Sequence, residues 1–241
     1  MPPNRAAARA KTRVFLVDDH PIVRRGFQLL LSMEPDLIVC GEADSAPAAL
    51  QKILALKPDV AIVDLALKGG SGLELIKQLR TQALKLKLLV FSMRDEGIFA
   101  ERALRAGADG YITKEEGTEK AIQAIRALMQ GKRYLSAQVA DKMMDSLVGN
   151  SPRADGTIAS LSDRELEVLE LIGNGLGSRE IAQKLHLSMK TVESHREHIK
   201  SKLGLSRATE LVSYAFNWFH GVKSEPEPSG RSLRSKRRAV G

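Results

Sequence analysis

KTRVFLVDDHPIVRRGFQLL, residues 11–30, is the stretch on which the fold turns. VFLV (14–17) is a short apolar run of strand length, an acidic pair follows at 18–19, and a helically spaced segment then runs from 21 to 33. The same pattern recurs. Short apolar runs return as LIVC (37–40), VAIV (60–63), KLLVFS (87–92) and DGYIT (109–113). Periodic segments lie between and after them, near 46–56, 72–83, 95–106 and 118–130. The last carries Ile122, Ile125 and Leu128–Met129 at helical spacing. Strands alternating with helices predict βαβ units, right-handed crossovers and a parallel sheet. Residues 12–130 are therefore expected to form one open α/β domain of five strands and five helices.

The remaining chain is long enough for a second domain, since 241 residues is about two domains' worth. Hydrophobic residues make up 43% and charged residues 27%, enough apolar material for a real core. A single cysteine, Cys40, excludes an internal disulfide framework and suits a reducing, cytoplasmic setting. No apolar run approaches a membrane span, and the basic N-terminus lacks the apolar segment of a signal peptide. The net charge of +8 invites a nucleic-acid reading, but each end of the chain carries +4 and the rest is neutral. The basic tails, 1–11 and 221–241, read as solvated, disordered ends that could add salt-sensitive contact with phosphates.

Beyond 130, SAQVADKMMDSL (136–147) reads as a helical extension leading into GNSPRADGT (149–157), so 131–160 is expected to be a linker. From 161 to 220 the signal is helical throughout. Ser162 with Glu165 three residues on makes a capping box, and Leu166, Leu169 and Ile172 form the buried stripe of the helix it starts. SREIAQKL (178–185), an HLS break and MKTVESHREHIKSKLGL follow, with a last helix from about Arg207 to Phe219.

Three carboxylates stand at strand ends: Asp18 and Asp19 after the first strand, Asp64 after the third. In an open parallel sheet the functional crevice lies at the carboxyl ends where strand order reverses. With the order 2-1-3-4-5, strands one and three are neighbours there and the three acids converge. A lone loop aspartate usually caps a helix, but three so placed need a cation, and oxygen ligands with room for water suit Mg²⁺. Ser92 ends the fourth strand and Lys114 follows the fifth, so a hydroxyl and an ammonium can meet a phosphoryl group.

Residues 12–130 resemble a two-component receiver domain, with DD after strand one, D after strand three, S after strand four and K after strand five. The resemblance implies a doubly wound five-stranded parallel sheet of order 2-1-3-4-5. By it Asp64 is the phosphoacceptor, and Asp18, Asp19, Asp64 and the backbone carbonyl of Ala66 hold Mg²⁺. Ser92 and Lys114 contact the phosphoryl group, and Tyr111 is the aromatic switch residue. The family's usual proline four residues after the phosphoacceptor is here Lys68. Together with Gly69–Gly70 it is expected to loosen that loop.

SREIAQKLHLSMKTVESHREHIKSKL has the anatomy of a helix-turn-helix, with small Ala182 where the helices cross. Val192, His195 (or Arg196), Ile199 and Leu203 should face the core, leaving Glu193, Ser194, Glu197, Lys200 and Ser201 outward. Lys190 and Thr191 start the second helix, where phosphate contacts are made. Residues 161–219 resemble a LuxR-type DNA-binding domain. The resemblance implies base readout by Glu193, Ser194 and Glu197, backbone contacts by Lys190, Thr191, Lys200 and Lys202, and dimerisation through the last helix. Eight acids and eight bases over 161–220 make the module neutral, so a weak monomer and a stronger dimer are expected on DNA.

Together these imply a response regulator of the NarL/FixJ type and not an enzyme. A sensor histidine kinase phosphorylates Asp64, and the receiver then releases or dimerises the DNA module on promoter DNA. RNA polymerase is a further candidate partner, and no membrane is involved. The alternative is a ligand-sensing or phosphorylation-independent LuxR-type regulator, which would need an apolar cavity in place of the acidic site. A phosphohydrolase using Asp64 as nucleophile is a second competitor, but it leaves the helix-turn-helix without a role.

Overall fold

The computed structural model describes residues 11–67, 70–82, 85–147 and 157–220. Lys68, both basic tails and most of the GNSPRADGT stretch lie outside them. The first domain runs β1 (Thr12–Val17), α1 (Pro21–Ser32), β2 (Leu37–Ala43), α2 (Ala46–Leu56), β3 (Val60–Val63), α3 (Gly72–Gln82), β4 (Lys87–Ser92), α4 (Glu96–Ala106), β5 (Gly110–Thr113) and α5 (Thr118–Met129). The five strands form one parallel sheet in the order β2-β1-β3-β4-β5.

Alternation along each strand divides the core between the two faces of the sheet. Val14, Leu16, Val60, Ile62, Leu89, Phe91 and Ile112 pack under α1 and α5 with Phe27, Leu31, Ile122 and Ile125. The rings of Phe27 and Phe91 meet edge to face at 5.0 Å. Phe15, Val17, Ala61, Val63, Leu88, Val90 and Tyr111 face the other way, toward α2, α3 and α4. Strand register then places the site. Val17 pairs with Val63 and Val63 with Val90, so the residues that follow β1 and β3 emerge side by side.

Ala66–Leu67 pair antiparallel with Gly70–Ser71, so the flanks of the Lys68 position close on each other. Gly72 begins α3 in direct contact with the chain leaving β3, its amide donating to the Leu65 carbonyl at 3.1 Å.

After α5 the chain returns along β5, where the Tyr111 amide donates to the Tyr134 carbonyl at 2.9 Å, and α6 (Ala137–Leu147) follows. The second domain is α7 (Asp163–Gly173), α8 (Ser178–Leu185), α9 (Met189–Leu203) and α10 (Ala208–Phe219). The capping box at α7 is formed: Ser162 and Glu165 satisfy each other's backbone amides. α8 ends on His186 at φ 55°, and Ser188 caps α9, which closes on Gly204 at φ 68°.

The domains touch. Asp163 pairs with Lys77 of α3 and Arg102 of α4, each at 2.9 Å. Arg102 also donates to the Leu161 carbonyl at 2.7 Å. Arg94, in the β4–α4 loop, pairs with Glu170 at 2.7 Å. Beside these contacts lies a cleft of about 1590 Å³, with Asp19, Met93 and Phe99 on one wall and Lys184, His186 and Trp218 on the other. No helix among the described residues is long and apolar enough to cross a membrane.

Candidate functional site

Four strand ends meet at the carboxyl edge of the sheet. Asp64 is buried, 3% exposed, and the Ser92 hydroxyl donates to its Oδ1 at 2.7 Å. The Lys114 ammonium donates to Asp64 Oδ2 at 2.6 Å and to Asp18 Oδ2 at 2.7 Å. The Ala66 amide lies 3.2 Å from Asp64 Oδ1. Asp18, Ala66, Ser92 and Lys114 therefore stand around the Asp64 carboxylate. Burial pulls the Lys114 ammonium down, but Asp64 and Asp18 outweigh it and hold it above the ordinary lysine value.

Asp18, Asp19, His20 and Asp64 present ligand atoms within 4.8 Å of one another. His20 Nδ1 lies 2.8 Å from Asp19 Oδ1, yet that buried oxygen accepts no hydrogen bond. An orphaned carboxylate oxygen beside two further carboxylates is the donor set a hard divalent cation fits. His20 brings an imidazole nitrogen to the same cluster, which the sequence reading did not include. Its signal was its place directly after the acidic pair.

Tyr111 is wholly buried, and its hydroxyl donates to the Arg94 carbonyl at 2.9 Å. Burial pushes its phenol above the usual range. The sequence pointed to Tyr111, but not to the carbonyl it would hold. It also missed Gly72, where an added Cβ would lie 2.2 Å from the Asp64 carbonyl oxygen. The run GGSG is the visible signal for such a close approach.

On α9, Val192, Ile199 and Leu203 are buried, while His195 and Arg196 are both half-buried. Lys190, Glu193, Ser194, Glu197 and Ser201 are exposed. Thr191 joins the helix cap, its hydroxyl 2.8 Å from that of Ser188. Lys200 is half-buried and pairs with Glu197 at 2.9 Å.

Lys202 is exposed and also has a partner within the module. Its ammonium is bonded at 2.6 Å to Glu165, a carboxylate only 4% exposed at the start of α7. Burial raises that carboxyl, and Lys202 with the Ser162 amide brings it below the usual range. Lys202→Met is therefore expected to lower the stability of the helical module by about 1–2 kcal/mol, because a buried acid loses its cation. Lys190→Ala should leave the melting point unchanged and reduce the salt slope of DNA binding by about one. Thermal melts beside salt titrations check both, and equal melting points would remove Lys202 from this structural role.

The model of the response regulator receiver domain matches residues 14–126, and that of the bacterial regulatory proteins of the luxR family matches residues 159–215. Over 208 residues the chain is 38% identical to the oxygen regulatory protein NreC of Staphylococcus aureus, spanning 84% of this chain and 96% of that one. The chain belongs to the NarL/FixJ family of two-component response regulators. Among solved structures, RcsB of Salmonella typhimurium superposes with a TM-score of 0.68 at 27% identity, over 89% of this chain and all of that one. RcsB bound to promoter DNA in the presence of the phosphomimetic BeF3- gives 0.63 at 28% identity, over 85% and 98%. The regulator thus joins a receiver domain to a LuxR-type DNA-binding domain, a transcription regulator's architecture.

Proposed function

We propose that this regulator is switched by phosphorylation of Asp64 by a sensor histidine kinase. The observation that carries the reading is the buried Asp64 carboxylate held between Lys114 and Ser92 beside Asp18 and Asp19. An Asp64 oxygen attacks phosphorus, and the bond to the donor's imidazole nitrogen breaks with its electron pair, leaving an acyl phosphate. Mg²⁺, held by Asp18, Asp19, Asp64 and the Ala66 carbonyl, would supply charge neutralisation at the transferred group. Lys114 and Ser92 exchange the carboxylate for phosphoryl oxygens, gaining a more highly charged partner. As Ser92 moves, Tyr111 follows and the receiver shifts between two states.

The output is promoter DNA bound by a homodimer in the cytoplasm. Glu193, Ser194 and Glu197 are the base-reading residues, Lys190, Thr191 and Lys200 the backbone contacts, and α10 the dimer helix. Val212, Phe216 and Phe219 leave α10 an apolar exposed face, which supports that last role. Lys202, exposed on α9 and bonded to Glu165, is a further backbone contact.

Intact-mass measurement after incubation with acetyl phosphate and Mg²⁺, with sizing on the same samples, tests this. A single phosphoryl adduct and a monomer-to-dimer shift are expected, both absent in Asp64→Ala. Without an adduct, the chain is a DNA-binding regulator controlled by something else.

A further inference from the structure

We propose that Arg94 is a positioning residue that couples the phosphoacceptor site to the DNA-binding domain, its main chain held by Tyr111 and its guanidinium latched to Glu170 of α7. The inference rests on the phosphorylation reading of Asp64 and names the contact through which that site is read.

Arg94 lies two residues beyond Ser92, whose hydroxyl is bonded to Asp64 at 2.7 Å. Its carbonyl accepts the Tyr111 hydroxyl at 2.9 Å. Its guanidinium carbon sits 4.7 Å from the centre of the Phe99 ring, and Nη2 reaches Glu170 Oε2 at 2.7 Å. Both members of the pair are nearly out of water, with side chains 14% and 13% exposed. One short path of bonds therefore runs from Asp64 through Ser92 and the Arg94 backbone to a helix of the other domain.

The energetics of such a pair suit a switch. Desolvation of two charges cancels much of their attraction, so the intact contact is worth little. Removing one partner alone strands a buried charge, which is strongly unfavourable. Arg94 Nη1 is itself buried without a hydrogen-bond partner, so the contact is incompletely satisfied from the start. A displacement of Arg94 that follows Ser92 and Tyr111 leaves Glu170 unpaired, and separation of the domains relieves it by returning the carboxylate to water.

The location shows what the latch controls. α7 is covered on two sides: Glu167, Val168 and Leu171 are buried as well as Leu166, Leu169 and Ile172. The outer face of α9 is open, with Glu193, Ser194 and Glu197 exposed. The contact with the receiver therefore does not cover the base-reading residues. It fixes α7, and with α7 the helix α10 that lies directly on it: a Cβ at Gly173 would come within 2.6 Å of the Ala215 carbonyl. Release frees the pair of helices that set the geometry of a dimer.

The test uses the unphosphorylated full chain and charge reversal. Trp218, the sole tryptophan of the sequence, lines the cleft between the domains and reports their separation by its emission, with small-angle scattering as the second readout. Arg94→Glu and Glu170→Arg are each expected to raise the open-to-closed ratio about five-fold or more, and the double reversal to bring it back. Glu170→Gln, which keeps an acceptor for Arg94, should stay closed and folded. Tyr111→Phe, which removes only the hydroxyl that holds Arg94, should also favour opening, less than additively with Glu170→Arg. Unchanged closure in the single reversals, a double reversal that stays open, or strict additivity with Tyr111→Phe would overturn the proposal. Failure to form an adduct at Asp64 would instead remove the phosphorylation reading, because none of these arms needs phosphate.

Discussion

Replacing Gly72 with alanine should slow phosphorylation of Asp64 by about a hundred-fold while leaving every charged residue of the site in place. The new Cβ would fall 2.2 Å from the Asp64 carbonyl oxygen and 2.6 Å from the Leu65 Cα. Both neighbours are backbone, so no side chain can turn aside. Either α3 must lift from the sheet or the chain leaving β3 must shift. The carboxylate cannot follow that shift freely, because Lys114 and Ser92 hold it at 2.6 and 2.7 Å from elements anchored elsewhere in the sheet. A misplacement of about 1 Å costs on the order of a hundred-fold in rate. Overpacking of this kind also costs about 1–3 kcal/mol in stability. Gly70→Ala is the control: its Cβ would meet only the Ala46 methyl at 3.1 Å, and its phosphorylation rate should stay within a few-fold of the parent. Adduct formation followed by mass measures both, and a Gly72→Ala protein labelled as fast as the parent would mean that the loop tolerates displacement of Asp64.

Gly72 also marks where reading the sequence reaches its limit. The acids, the serine and the lysine were legible because each directly follows an apolar run, and period-two runs define strand ends well. The strand order then brings the ends together, as β1, β3, β4 and β5 do here. Close approach of two backbones leaves no periodic trace, so a glycine inside GGSG reads as loop punctuation. Lys202 shows a different limit. Its charge and its place on α9 fit a phosphate contact, but nothing local shows its bond to a buried Glu165, 37 residues away. The interdomain contact was harder still. The stripe of Leu166, Leu169 and Ile172 accounts for one buried face of α7, and the off-stripe pair Val168 and Leu171 was the only local sign of a second. Arg94 carries no signal of its role, since Tyr111 on β5 and Glu170 on α7 are distant in sequence and only Phe99 of α4 is near.

The closed arrangement of the two domains is expected to weaken as pH rises from 6 to 8. Burial pushes the Glu170 carboxyl up to about 7, Arg94 pulls against it, and neighbouring Glu167 adds to the rise. Once the domains separate, the carboxyl returns toward an ordinary glutamate value of about 4.3. The closed state thus binds the extra proton. Its contribution is complete below about 4.3 and is lost as pH climbs through about 7. Asp163 has the opposite sign: burial raises its carboxyl, but Lys77 and Arg102 bring it below the usual range. Its contribution is present above about 3.9 and is lost on acidification. Closure is therefore strongest near pH 4, where both contributions are present. On the alkaline side the linkage amounts at most to about 4 kcal/mol, on the order of five-hundred-fold in the open-to-closed ratio. Trp218 emission and scattering between pH 5.5 and 8.5 would show it. Glu170→Gln, which cannot titrate, should flatten the profile while leaving His186 and His220 in place. A variant that keeps the full pH dependence would free Glu170 of the role. A regulator poised in this way opens more readily for a given phosphoryl signal at pH 8 than at pH 6.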